Sequence, residues 1–386
     1  MPCLDEAETL GASIKAARLG IAACGIAAEI VVADNGSADD SVAIAAALGA
    51  RVVKVSERGY GNALRAGIQA AIGKWIVMGD ADGSYDFSET PRFVEKLREG
   101  FDIVMGCRLP AHGGRILPGA MPWKNRWIGN PALSFIGRLF FKSPAHDFHC
   151  GLRAFTKPAY ERMDLKTTGM EFASEMVIKS TLLHLRIAEL PVTLRPAGRS
   201  RPPHLRAWRD GWRHLRFMLI YSPRWLFLVP GLLLFLSGIA FGIALSLGDL
   251  RVGNVTLSIG TLTISCMAIV VAFQLIAFAF FTKVFAIAEG LLPQDRKFAS
   301  MFRTFTLEKG LAAGLFVLLG GALLLLRALW IWKEAGYGAL SYSDNIRRVL
   351  PAATLMILGV QSVFSSFFMS VLGLKTLSRT PPQNDE

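Results

Sequence analysis

Beyond Pro223 the chain carries four long apolar runs, at about 225–247, 257–281, 311–329 and 350–374, each near the roughly 20 residues a helix needs to cross a bilayer. So many runs of this length seldom fit inside a water-soluble core, so four membrane spans are expected. Up to about Tyr221, charged and apolar segments alternate as in a soluble domain. With 52% of its 386 residues hydrophobic, the whole is too apolar for an ordinary soluble enzyme. The expected division is a soluble domain over 1–203, an amphipathic interfacial helix over 204–223, a four-helix membrane domain over 224–375 and a loose tail over 376–386.

Lys and Arg set the expected orientation. Arg206, Arg209, Arg213, Arg216 and Arg224 precede the first span, and Lys283, Arg296, Lys297, Arg303 and Lys309 join the second to the third. Both segments belong on the cytoplasmic side. The first loop has Arg251 alone, whereas the third, with Arg327, Lys333, Arg347 and Arg348, is more basic than an outer loop should be. Residues 1–8 are polar and acidic, unlike a cleavable leader, so the soluble domain is expected in the cytoplasm.

The five cysteines are scattered without paired or metal-ligand spacing, which suits a reducing compartment. A net charge of +12, mostly arginine, suits anionic lipid or phosphate better than nucleic acid, for which no motif is present.

In the soluble region, strands at about 29–33, 51–55 and 75–78 alternate with helices at 41–48 and 61–72. The series is βαβ with a mostly parallel sheet, and such sheets bind ligands beyond the carboxyl ends of their strands. Two strands end in acidic loops there, Ala33-Asp-Asn-Gly-Ser37 and Gly79-Asp-Ala-Asp-Gly83. Asp80 and Asp82 flank one residue, so both can share a hard divalent cation, Mg2+ or Mn2+, with phosphate oxygens. The competing reading is an Asp/Gly/Ser turn without ligand. Position at a strand end, after a second acidic strand end, favours the cation.

These motifs resemble, in order along residues 1–203, the family-2 glycosyltransferases with a GT-A fold, and among them the polyprenyl-phosphate sugar transferases. The resemblance rests on Pro2-Cys-Leu-Asp-Glu6, Val32-Ala-Asp-Asn-Gly-Ser37, Arg58-Gly-Tyr-Gly-Asn-Ala-Leu-Arg-Ala-Gly67, Asp80-Ala-Asp82, Met105-Gly-Cys-Arg108, Asp147-Phe-His-Cys-Gly-Leu-Arg153 and Arg195-Pro-Ala-Gly-Arg-Ser-Arg201. It implies an α/β GT-A domain in which Pro2, Glu6 and Asp34 hold the nucleoside, and Asp80 and Asp82 hold metal and diphosphate. Arg108, Arg126, Arg153, Arg199, Ser200 and Arg201 would meet phosphates. It also implies a nucleotide-diphosphate sugar, GDP-mannose or UDP-glucose, as donor and dolichyl or undecaprenyl phosphate as acceptor, in a membrane such as the bacterial inner membrane.

Three departures stand out. Gly83-Ser84 replaces the family's Leu-Gln, leaving Ser84 or Asp86 for the place near the metal. Met1 abuts Pro2, where relatives have a first strand, so either the start lies upstream or a central strand is absent. Arg199-Ser-Arg201 has arginine where relatives often carry lysine, which keeps the charge and offers a fork suited to phosphate.

The acceptor shapes the mechanism. A phosphate monoester already carries about −1.5 to −2 charge and needs no strong base, whereas a sugar hydroxyl does. Cationic residues bring the two anions together, and in-line attack then inverts the anomeric carbon. Segment 204–221, if helical, puts Arg206, Arg209, Arg213 and Arg216 on one stripe and Leu205, Trp208, Trp212, Leu215 and Leu219 on another, suited to the headgroup plane; the alternative is an ordinary amphipathic helix packed on the first domain, and the Trp-plus-Arg content favours the interface. Segment 121–142, with Trp123, Trp127, Phe135, Phe140 and Phe141 among Lys124, Arg126, Arg138 and Lys142, reads as a second interfacial element or as core.

Other signals are discounted. Gly59-Tyr-Gly61 lacks dinucleotide-fingerprint spacing; His112, His146 and His149 lack a matched ligand set; Gln274 and Gln361 suit helix-to-helix hydrogen bonds. The leading expectation is a metal-dependent inverting hexosyltransferase acting on polyprenyl phosphate. Its rivals are a processive polysaccharide synthase and a non-catalytic lipid or glycan translocator. Oligomeric state, a homo-oligomer included, stays open.

Overall fold

The computed structural model describes residues 1–200, 207–293 and 306–377. Arg201, Arg206, Arg296, Lys297, Arg303 and most of the expected tail lie outside the described residues. The chain forms two compact units, 1–218 and 219–386.

The first unit is a βα alternation. Helix α1 (Ala7–Cys24) buries Leu10, Ile14 and Ala17, the spacing that puts apolar residues on one helical face, and stops at Gly25 in the left-handed conformation. Strands β1 (Pro2–Cys3), β2 (Val31–Asp34) and β3 (Arg51–Lys54) form a parallel sheet, with α2 (Ser41–Ala47) between the last two. Helix α3 (Tyr60–Ala70) then leads to β4 (Trp75–Met78), and α4 (Thr90–Arg98) to β5 (Ile103–Cys107). The expected elements recur here within a residue or two at their ends.

A second sheet has the order β4-β7-β5-β8, with β7 (Arg153–Thr156) antiparallel to both neighbours and β8 (Ile187–Pro191) parallel to β5. Every residue of β5 is buried, as befits an inner strand. The short strands β6 (Arg115–Ile116) and β9 (Thr193–Leu194) pair nearby, and α5 (Asn130–Phe141), α6 (Lys157–Met163) and α7 (Phe172–Leu182) cover the unit. The strands of the unit thus fall into a three-stranded parallel sheet, a four-stranded mixed sheet and the β6-β9 pair, and β1 and β4 are edge strands that do not pair with each other.

Helix α8 (Ala207–Ile220) departs from the interfacial reading in one respect. Asp210, His214 and Met218, spaced four apart, are buried, and His214 Nδ1 shares a 2.8 Å hydrogen bond with Ser174 Oγ of α7. The helix thus packs one face on the first unit, while Trp208, 91% exposed, and Trp212 look outward. In the region read as core or interface, Trp123, Trp127 and Phe135 are exposed and Phe141 is buried.

The second unit holds four helices long and apolar enough to cross a membrane, Arg224–Leu247, Ile259–Ala288, Leu307–Glu334 and Tyr342–Leu372. A short antiparallel hairpin, Leu250–Val252 with Val255–Leu257, joins the first two. Glycines let these helices close in, as expected where lipid removes the hydrophobic drive between spans. A Cβ at Gly359 would lie 2.5 Å from the Leu318 amide nitrogen, and one at Gly321 would lie 2.7 Å from that of Met356. Gly359→Val should therefore push the third and fourth spans apart at a cost of about 1–3 kcal/mol. The check is thermal melting in detergent, where an unchanged midpoint would refute the contact.

Candidate active site

The acidic loops are built by the strand ends. β2 ends at Asp34, whose Oδ1 accepts from Ser37 N at 3.1 Å, so the carboxylate closes the turn that leads to α2. Asn35 extends the brace, donating to the Glu57 carbonyl and accepting from Gly59 N at 2.7 Å. Glu6, buried at the start of α1, donates its amide to Ser41 Oγ at 2.9 Å. Pro2 pairs with Ala33 in β1, one residue before Asp34.

Two residues after β4, Asp80 Oδ1 accepts a 2.9 Å hydrogen bond from Tyr60 Oη. Its other oxygen faces Gly151, where a Cβ would stand 2.6 Å away, so a larger residue there would displace the carboxylate. Burial and the neighbouring charge of Asp82 push the Asp80 carboxyl up from the ordinary range. Such a crowded acid pair gains from a cation. Asp82 Oδ1 accepts from Ser84 N at 3.0 Å, and Thr9 Oγ1 donates to the intervening Ala81 carbonyl at 2.9 Å.

Residues 195–200 lie across these loops. Arg195 N donates to the Ser84 carbonyl at 2.9 Å and Gly198 N to the Asp82 carbonyl at 3.0 Å. Arg199 reaches both acids, with Nη1 2.7 Å from Glu6 Oε1 and Nη2 3.4 Å from Asp82 Oδ2. Ser200 is anchored by its amide and hydroxyl to the Glu8 carboxylate, both at 2.6 Å. Glu6, Asp82, Arg199 and Ser200 are thereby brought together.

Two expected phosphate ligands are otherwise engaged. Arg153, wholly buried, donates to the carbonyls of Cys150, Ala173 and Phe148 at 2.7–2.8 Å. It is an internal brace, because those contacts use all three of its guanidinium nitrogens. Arg108 makes a forked pair with Asp147, Nε to Oδ2 at 2.7 Å and Nη2 to Oδ1 at 2.8 Å, both side chains buried. Arg126 lies over the Trp127 ring at 5.3 Å, and no described contact joins it to the acidic loops. Asp86 caps the turn at Ser88 and pairs with Arg195, which leaves Ser84 as the better neighbour for the acid pair.

The residues that the sequence reading missed are the supports. Tyr60 sits in the discounted Gly-Tyr-Gly, where Gly61 N donates to the Thr168 carbonyl at 2.9 Å. That loop is in turn held by buried Glu175, which accepts from Lys166 N, Thr167 N and Thr167 Oγ1. His146 bonds Glu189 at 2.6 Å and stacks on His112, while the His149 ring faces that of His214 at 4.7 Å.

Among the described residues no three His, Cys, Asp or Glu side chains converge as a closed metal cage. Asp80 and Asp82 offer hard oxygens from two carboxylates, a set that fits Mg2+ or Mn2+ completed by phosphate oxygens and water, the usual form of nucleotide-bound sites.

Residues 1–163 match the model "Glycosyl transferase family 2", and residues 280–373 match "Glycosyltransferase family 2 C-terminal transmembrane region". The low-salt glycan biosynthesis hexosyltransferase Agl6 of Haloferax volcanii is 35% identical over 97% of this chain and 88% of its own length. The dolichyl-phosphate hexose transferase of the same organism is 32% identical over 44% of this chain and 70% of its own. Among solved structures, glucosyl-3-phosphoglycerate synthase of Mycobacterium tuberculosis is 24% identical over 57% of this chain and 76% of its own, with a TM-score of 0.44, a likeness too slight to bear on the chemistry.

Proposed function

Because this chain belongs to glycosyltransferase family 2 and has the membrane region that goes with it, we propose that it is an inverting hexosyltransferase that moves one sugar from a nucleotide diphosphate to a polyprenyl phosphate. The donor is GDP-mannose or UDP-glucose, the acceptor dolichyl or undecaprenyl phosphate, and the reaction face is cytoplasmic, at the inner membrane of a bacterium. Support for the lipid acceptor comes from the dolichyl-phosphate hexose transferase among its relatives and from the four spans.

The observation that carries the reading is the place of Arg199, whose guanidinium lies between Glu6 and Asp82. A cation is thus already favoured where the diphosphate and its metal would gather. Asp80 and Asp82 would hold Mg2+ or Mn2+, and the ion when bound would neutralise charge on the departing diphosphate. Tyr60 orients Asp80 by its hydrogen bond. Arg199, which pairs with Glu6 and Asp82, would offer its fork to the donor's phosphate oxygens. Pro2, Glu6 and Asp34 border the nucleoside. Ser84 stands beside the acid pair, Ser200, held by Glu8, fixes the chain next to Arg199, and Arg201 is the further phosphate-binding position that the resemblance implies. The acceptor's own oxyanion is the nucleophile, so no general base is required of the chain.

The test incubates the purified protein with polyprenyl phosphate, Mg2+ or Mn2+, and a panel of labelled nucleotide sugars. Label is expected in a lipid-phosphate product with one donor preferred. Absence of lipid-linked label across every donor would overturn the proposal.

A further inference from the structure

Segment 195–200 is pinned along its length to the start of α1 and to the loop after β4. Arg195 N and Gly198 N donate to the carbonyls of Ser84 and Asp82, and the Arg195 side chain pairs with Asp86 at 2.8 Å. Glu8 takes the amide and the hydroxyl of Ser200, and a Cβ on Gly198 would stand 3.1 Å from Thr9 Cγ2. Thr9 in turn holds the Ala81 carbonyl, between the two aspartates. Arg199 is therefore carried by a strap anchored on both sides, and its side chain is only 14% exposed. Glu6 Oε1, 2.7 Å from Nη1, fixes the direction of the guanidinium.

That position sets up a conflict on Asp82. Its Oδ1 accepts from Ser84 N at 3.0 Å, and its Oδ2 faces Arg199 Nη2 at 3.4 Å. A divalent cation lies about 2.1 Å from its ligand oxygens, so one that shares Oδ2 stands within about 6 Å of the guanidinium. This is inside the ~8 Å over which salt screens charge at physiological ionic strength. Both side chains are also largely buried, which keeps the repulsion between the two cations strong. Glu6 and the strap's backbone bonds oppose any swing of Arg199 to the side. A diphosphate reverses the sign, because its oxygens attract both cations at once and suit the arginine fork.

We infer that Arg199 makes cation binding at Asp80 and Asp82 conditional on the nucleotide diphosphate. The ion alone meets an opposing charge, whereas the ion with its diphosphate meets a partner. One side chain thereby couples the two ligands, and the coupling is reciprocal, each raising the affinity for the other. Free Mg2+ or Mn2+ gains little hold on the acid pair, and the site is completed when the donor arrives. The inference deepens the proposed function and rests on its assignment of ion and diphosphate to the acid pair, but not on which sugar or lipid is used. A residue that only bound phosphate would weaken nucleotide binding when removed and leave the ion's own affinity where it was.

The experiment follows the free-ion paramagnetic resonance signal of Mn2+ titrated into the purified full-length protein, alone and with UDP or GDP, after subtracting the ion each nucleotide holds in solution. Arg199→Met should bind Mn2+ alone at least about fivefold more tightly than the parent, the low end of typical coupling between sites. It should also lose much of the gain that nucleotide gives the parent. Arg199→Lys, which keeps the charge, should bind Mn2+ alone as weakly as the parent does. Adding Asp82→Asn to Arg199→Met should remove the tightening, which places the ion on the acid pair. A smaller tightening, one that survives Asp82→Asn, one shared by Arg199→Lys, or a parent that binds Mn2+ equally well with and without nucleotide would each overturn the inference. None of these results alters the lipid-product assay, and a failure of that assay with every donor does not alter the Mn2+ titration, so the inference and the reading it rests on fail separately.

Discussion

Asp82→Asn should lower sugar transfer by about 10³-fold while the melting midpoint of the protein moves little. The substitution is nearly isosteric and keeps the side-chain oxygen that accepts from Ser84 N at 3.0 Å, so the turn after β4 stays formed. The charge facing Arg199 at 3.4 Å is lost, and with it one of two carboxylates available to a divalent ion. Preorganised electrostatic groups at a site of developing charge are each worth about 10²–10³ in rate, and removing a metal ligand belongs at the upper end. The readout is labelled lipid product at saturating metal, paired with a melting curve. Activity within tenfold of the parent would rule out the assignment of Asp82 to the diphosphate.

Asp147→Ala should be the most damaging single change in the first unit. Asp147 and Arg108 are both buried, and Asp147 also accepts from the Arg108 amide at 3.0 Å. Burial alone would raise the Asp147 carboxyl, but the Arg108 guanidinium and its hydrogen bonds outweigh it and hold the group at about 2. Removing the partner strands a buried guanidinium, at a cost of about 3–5 kcal/mol and a fall in melting temperature of roughly 10 °C. Arg108→Met combined with Asp147→Leu should recover much of that loss, since a buried pair replaced by apolar groups of similar volume is often tolerated. The sign with pH follows from the depressed value. The stabilisation is complete above the ordinary carboxylate pKa near 4, and is lost as pH falls through about 2. A single mutant as stable as the parent would show that the pair is not structural.

Legibility in the sequence followed from how local each signal was. The four spans were readable because apolar length alone decides them, and the structure returns four helices in the same places. The strand ends bearing Asp34, Asp80 and Asp82 were readable because short apolar runs closed by Asp and Gly mark β-to-loop transitions. Arg108 and Arg153 read as phosphate ligands in the sequence because arginine chemistry is the same whether it meets a ligand or the protein's own acceptors. Only the fold brings Asp147 to the one and three carbonyls to the other. Tyr60 was passed over for a similar reason, as its partner Asp80 is 20 residues away.

Helix α8 shows the same division. Its amphipathic character was plain, yet Asp210 and His214, polar residues that a periodicity argument places outward, lie against the first unit, and the tryptophans look outward. Hydrophobic pattern identifies a two-sided helix but not which side meets which neighbour, since a polar face can be buried wherever hydrogen bonds such as Ser174 to His214 satisfy it. By itself, then, the sequence determined where lipid replaces water, which strands end in acids and which family the chain joins, all properties of contiguous residues. Tertiary structure alone decided that Arg199 bridges Glu6 and Asp82, that Arg108 pairs with Asp147 and Arg153 with three carbonyls, and that β2 and β4 belong to different sheets. Those outcomes depend on pairing between distant segments, where burial makes an unpaired charge or peptide group costly, and no local pattern records which partner removes that cost.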